Sequence, residues 1–235
     1  MEFIANRGKD IAIQVDGVTY LRHAIRTHFV GIGEDYLKLI ERYALPLYQQ
    51  GDILCISEKI ISLCQRRVVF RDELKVGCLA RFLSRFASHS SAGIGVDSPY
   101  KMQFAVEHCG RIKVLWAALL AGIGKLLGKK GLFYQIVGQE VSGLDGFYDK
   151  EFPIYGNFGI RIPAHPHQVC DEIQQKTGIP CMIVDANDLG VEILGHSSTL
   201  PFTDGQLCSL IRDNPAGQST QMTPLILIRK LPSVA

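Results

Sequence analysis

The stretch Ile179-Pro-Cys-Met-Ile-Val184 is an apolar run interrupted only by Pro180, and Gly178 stands before it. Ahead of that glycine, His167 to Thr177 has the spacing of a helix. Helix, glycine stop and short apolar run together predict a strand buried on both faces, entered from a helix. The run breaks off at Asp185-Ala-Asn-Asp188, with Gly190 just beyond. Open α/β sheets place ligands at the carboxyl ends of buried strands, so these polar residues are candidates for a site. Most such clusters after strands are turns, because Asp and Asn bond their own backbone and tolerate unusual dihedrals.

A second stretch repeats this grammar. Gly51-Asp52 turns into Ile53 to Ile56, and Ser57-Glu58-Lys59 forms the polar exit before a short helix begun by Ile60, Leu63 and Cys64. At the amino end, Ile11 to Val15 alternates, Asp16-Gly17 is a hairpin signal and Val18 to Leu21 returns. Glu34 to Leu45 reads as an amphipathic helix with negative charge at its start. Leu74 to Ala87 reads as a helix with Leu79, Phe82, Leu83 and Phe86 on one face, and Arg81 and Arg85 on the other.

Ser98 and Pro99 supply the cap and first residue of a helix over Met102 to His108. Arg111 to Leu127 is apolar and helical, and the longest helix-like apolar run, Val114 to Gly124, is too short to cross a bilayer. Leu132 to Val137, Gly138-Gln139 and Glu140 to Leu144 are expected to form a hairpin, and Phe147 to Pro166 a long irregular loop. Gly205 to Arg212 is expected as a short helix and Leu225 to Ile228 as a terminal strand.

Several chemistries are excluded. The glycines and lysines from Gly122 to Lys129 imitate a phosphate-binding loop, but no Ser or Thr follows the lysines and the preceding segment is a helix where a strand is required. His165 and His167 are a possible metal pair, more simply read as polar punctuation before a helix. Trp116 with Lys125, Lys129 and Lys130 would suit a membrane surface, though a buried helix explains the same residues. A net charge of +2 lacks the basic footprint of a nucleic-acid binder. The seven cysteines form no CxxC pair, so they read as reduced thiols; with no apolar signal core near Met1, a cytoplasmic protein is expected.

Three stretches in order resemble one family, the coenzyme F-420-0:gamma-glutamyl ligases that add glutamate to a deazaflavin cofactor. They are Gly51-Asp-Ile-Leu-Cys-Ile-Ser-Glu-Lys-Ile-Ile-Ser62, Gly93-Ile-Gly-Val-Asp-Ser98, and the Pro-led helix and apolar strand from Pro166 to Gly190. The likeness runs from about Glu34 to Gly195, going by motif order. It implies an α+β fold with mixed sheets and packed helices, in one ligase-like domain or two interleaved lobes with an insert over about residues 104–165. It also implies a homodimer and GTP- or ATP-dependent joining of a glutamate-like amino acid to a small-molecule carboxylate acceptor, with Mg²⁺ or Mn²⁺. A binding protein that keeps the fold without the chemistry is the alternative. No nucleic-acid or membrane partner is expected.

By the same likeness, Asp97 and Asp185 would be the metal-binding and catalytic aspartates, assisted by Asp188. Ser57, Lys59, Arg81, Arg85 and Asn187 would serve the nucleotide. Hard divalent cations suit such carboxylate oxygens. The chain departs from the family pattern in two places. The family's Asp-Thr-x-Gly-Arg is here Asp185-Ala-Asn-Asp-Leu189, and its Ser-Lys-Ala-Glu-Gly-Arg is here Ser62-Leu-Cys-Gln-Arg-Arg67.

Overall fold

Apolar runs of four to six residues make the centre of one large sheet. The computed structural model describes residues 2–87, 95–147, 157–187, 190–217 and 221–232. Two compact units emerge: one from Met1–Arg66 with Pro163–Ala235, the other from Arg67–Ile162. The insert expected over about 104–165 thus overlaps a unit that begins earlier, at Arg67. The described secondary structure is α+β, as expected.

The first unit is built on six strands: β1 (Ala12–Val15), β2 (Val18–Ile25), β3 (Ile53–Ser57), β7 (Cys181–Asn187), β8 (Gly190–His196) and β9 (Leu225–Lys230). Their order is β1-β2-β9-β3-β7-β8. Only β3 and β7 run parallel; the other neighbours are antiparallel. The β1–β2 hairpin turns at Asp16-Gly17, both with positive φ (51° and 77°), the backbone that a tight twisted hairpin needs.

Alternation along the central strands feeds two cores. Ile53, Cys55, Met182 and Val184 point to one side, with Leu207, Leu210 and Ile211. Leu54, Ile56, Cys181 and Ile183 point to the other, with Ile40, Val169, Cys170 and Ile173. The helices of this unit are α1 (Tyr36–Tyr43), α2 (Glu58–Cys64), α8 (Pro166–Thr177) and α9 (Asp204–Leu210). Asp35 caps α1 by accepting from the Leu37 and Lys38 amides. Thr203 and Gln206 close a capping box on α9. Gly178, left-handed at φ 78°, ends α8 and releases the chain into β7, so the helix–glycine–strand expectation holds.

The second unit holds α3 (Cys78–Ser84), α4 (Pro99–Cys109), α5 (Arg111–Leu126), α6 (Leu132–Val137) and α7 (Gln139–Ser142). A small sheet joins β4 (Val68–Phe70), β5 (Asp145–Gly146) and β6 (Phe158–Ile160) in the order β4-β6-β5. Its core gathers Met102, Phe104, Ala105, Val114, Ala117, Phe133, Val137, Val141 and Leu144. Glu140 accepts from Arg67 at 2.5 Å and from Arg161 at 2.9–3.0 Å, tying α7 to both ends of the unit's chain.

Three expectations are corrected here. The hairpin over 132–144 is a helix pair, because Phe133, Val137 and Val141 recur every fourth residue and bury one helical face. The Phe147 to Pro166 loop contains β6, while its residues 148–156 lie outside the described residues. On α3 the buried positions are Ala80 and Ser84, and Phe82 and Phe86 are exposed by 58% and 70%.

Candidate active site at a parallel strand edge

Parallel pairing of β3 with β7 brings together two segments far apart in the chain. The register sets Leu54 against Cys181 and continues to Ser57 against Val184, so Asp185 is the first residue past the paired edge. Ser57 ends β3 and begins α2 in extended backbone; its amide donates to the Pro224 carbonyl at 2.9 Å, and its hydroxyl makes no capping bond. Glu58 follows, buried in the first turn of α2, where the helix dipole favours a carboxylate. Lys59 Nζ lies 3.9 Å from Glu58 Oε1, and its side chain is 37% exposed.

The strand does not stop at Asp185. It runs on to Asn187 and folds back as β8, with Asp185 opposite Glu192, Ala186 opposite Val191 and Asn187 opposite Gly190. This corrects the abrupt polar exit read from the sequence: Asp185 belongs to a hairpin arm. Asn187 Oδ1 accepts from the Gly190 amide at 3.1 Å, so Asn187 acts as a turn residue. Asp188 lies outside the described residues. Glu192 was missed by the sequence reading. The hairpin signal was nonetheless present in the Asn-Asp-Leu-Gly run from 187 to 190, flanked by apolar segments.

The remaining candidates belong to the second unit. Asp97 is half-buried just before α4, in a turn closed by the Ser98 amide on the Gly95 carbonyl at 3.0 Å. The Val96 amide beside it donates to Tyr134 Oη at 3.1 Å. Gly93, part of the same family-like stretch, lies outside the described residues.

In the first turn of α4, Lys101 is buried to 3% exposure. Its ammonium donates to the carbonyls of Ser142 at 3.0 Å and Leu144 at 2.7 Å. Burial pulls the Lys101 pKa down to about 8, while the charges of Asp145 and Asp97 act to hold it up. Asp97 therefore has a local electrostatic duty as a countercharge to Lys101. Arg81 sits in the last turn of α3 and Arg85 caps it, both exposed, where positive charge suits the helix dipole.

Of the sequence candidates, then, the first unit brings Ser57, Lys59, Asp185 and Asn187 to one edge. Asp97, Arg81 and Arg85 are carried by the second unit. Among the described residues, no group of three or more His, Cys, Asp and Glu could hold a metal ion. The carboxylates of Asp185 and Glu192, opposed across the hairpin, are hard oxygen donors of the kind Mg²⁺ or Mn²⁺ takes singly or in pairs while keeping waters.

The first unit also has an open cleft of about 790 Å³, whose lining includes Asn6, His23, Arg26, Arg42, Tyr43 and Thr223. Burial, helped by the charge of Arg229, lowers the His23 pKa, which favours the neutral imidazole. All seven cysteines are free. Burial raises the Cys55 thiol, and the Cys64 thiol is pushed up to about 12 by burial and by Glu34 and Asp35. In comparison with known proteins, the chain matches no family model and no curated sequence.

Proposed function

We propose that the protein is a metal- and nucleotide-dependent amide ligase of the gamma-glutamyl ligase type, working in the cytoplasm as a homodimer. The observation that supports this is the β3–β7 edge. Two of the three stretches that resemble the ligase family meet there as neighbouring parallel strands, with Ser57 beside Val184 and Asp185 next in line. In the proposed reaction the acceptor carboxylate attacks the terminal phosphoryl group of GTP or ATP, giving an acyl phosphate and nucleoside diphosphate. The amine of a glutamate-like amino acid then displaces phosphate and loses a proton, forming the amide.

Lys59 and the Ser57 hydroxyl would bind phosphate oxygens at this edge. Asp185 and Glu192 would hold the divalent ion, which when bound spreads the charge of the transferring phosphoryl group. Phosphate release in step with amide formation, measured with GTP or ATP, Mn²⁺, glutamate and a panel of carboxylic acids, is the expected result. Asp185→Asn should abolish it. It should also abolish Mn²⁺ stabilisation in a thermal shift, expected at ~2.7 kcal/mol for a hundredfold excess over Kd.

A second reading is a binding protein that keeps the fold without the chemistry. What favours it is the course of β7, which carries Asp185 into a hairpin and commits Asn187 to its turn. Nucleotide binding without acceptor-dependent phosphate release would select this reading. A protein indifferent to nucleotide, Mn²⁺ and Mg²⁺ alike would remove both.

A further inference from the structure

Helix α5 is built the wrong way round for a helix packed into its own domain. Its inner face is made of Val114, Ala117 and Gly124, all buried, and Gly124 lies hard against Leu132 of α6. Its large apolar residues face out. Exposure is 75% for Ile112, 46% for Leu115, 58% for Trp116, 55% for Leu119, 43% for Leu120 and 47% for Ile123; just beyond, Leu126 reaches 88% and Leu127 71%. At 100° per residue these eight positions fall within an arc of about 140°. A stripe of that width normally faces the core, and contiguous apolar patches beyond a few hundred Å² mark interaction surfaces. The buried helix expected from the sequence is thereby corrected.

The charge around the stripe identifies what covers it. Between Arg111 and Gly131 stand Arg111, Lys113, Lys125, Lys129 and Lys130, with no Asp or Glu, in a chain whose whole net charge is only +2. The basic residues bracket the stripe at both ends, and all five are exposed. A second copy of α5 laid against this face, in either direction, would bring cation against cation. An anionic lipid surface takes the apolar stripe into its acyl boundary and both basic ends into its headgroups. Trp116 on the stripe is a residue favoured at that boundary. None of the described helices is long and apolar enough to cross a membrane, so the helix would lie on the surface.

We infer that the exposed face of α5 docks the protein onto an anionic phospholipid bilayer, against the expectation of no membrane partner. Trp116 is the only tryptophan in the chain, so the full-length protein reports on its own docking. Vesicles of phosphatidylglycerol and phosphatidylcholine should bind it about tenfold or more tighter than phosphatidylcholine alone. Trp116 emission should shift to the blue, and added salt should weaken the binding. Leu119→Glu with Leu126→Glu should abolish binding and the shift with unchanged thermal unfolding, since both side chains are exposed. Lys129→Glu with Lys130→Glu should weaken binding while leaving the fold intact. Three results would each overturn the inference. They are an unshifted Trp116 with no sedimentation on anionic vesicles, full binding by either double variant, and a blue-shifted Trp116 in a lipid-free dimer, which would make a second copy the occupant.

Discussion

The two units use the same apolar residue types in opposite directions. In the first, Ile, Val and Leu of the central strands alternate between two covered faces, and Leu54, Ile56, Met182 and Ile183 are fully buried. In the second, the large apolar residues of α5 point outward while Val114, Ala117 and Gly124 make the inward contacts. Composition cannot separate these cases. What separates them is whether a partner element exists for each face. The sheet has helices on both sides; α5 meets α4 and α6, burying Val114, Ala117 and Gly124, while its large apolar residues stay exposed.

The two units also bury charge in different settings. The first unit pairs it: Arg229 grips Asp52 through two bonds of 2.8 and 2.6 Å, and Arg22 is bound to both carboxylate oxygens of Asp213. In Asp213, burial would raise the pKa, but the Arg22 bond and charge more than offset it and the net shift is downward. The second unit buries Lys101 against the carbonyl oxygens of Ser142 and Leu144, and the charges of Asp145 and Asp97 act on its ammonium.

The largest effect should come from breaking the first kind of pairing. Arg229→Met leaves Asp52, 1% exposed, buried and unpaired, which should cost about 3–5 kcal/mol in urea unfolding. A loss below about 1 kcal/mol would mean that water reaches Asp52, and the contrast between the units would soften.

Next comes the pH response of Lys101. Its pKa is lowered from 10.5 to about 8 in the folded protein, so between those values the unfolded chain binds more protons. Its contribution to stability is therefore complete above pH 10.5 and lost as pH falls through about 8. Relative to Lys101→Met, the wild type should gain on the order of 3 kcal/mol across that window. Parallel stability curves for the two proteins would show that the ammonium is solvated.

A smaller effect belongs to the β7–β8 hairpin, where Asp185 and Glu192 stand opposite each other. Like charges in register disfavour pairing, so Glu192→Gln should stabilise the metal-free protein by roughly 0.2–1 kcal/mol. A destabilising outcome would place another cation between the two carboxylates.

Smallest of all, Leu119→Ser on the open face of α5 should change the stability of the isolated protein by no more than about 0.5 kcal/mol. The equivalent polar substitution at Leu54, fully buried in β3, should rival the Arg229 change. A large loss at Leu119 would show that the face is already covered in solution.

The sequence by itself determined the local elements whose signals are self-contained. Asp16-Gly17 specified a hairpin because both residues accept positive φ. Asp35 specified the start of α1 through its cap, and Gly178 specified the end of α8 and the start of the buried run into β7. The α6–α7 pair is legible too, in the four-residue recurrence of Phe133, Val137 and Val141. Tertiary structure alone decided the rest. Only the parallel register of β3 and β7 puts Ser57 beside Val184, because strand pairing joins segments with no local signal in common. Only the return of β8 sets Glu192 against Asp185 and makes Asn187 a turn residue. Only the packing of α4 and α6 on the small residues of α5 decides which way its leucines face, since periodicity defines a helical stripe but not what lies across from it.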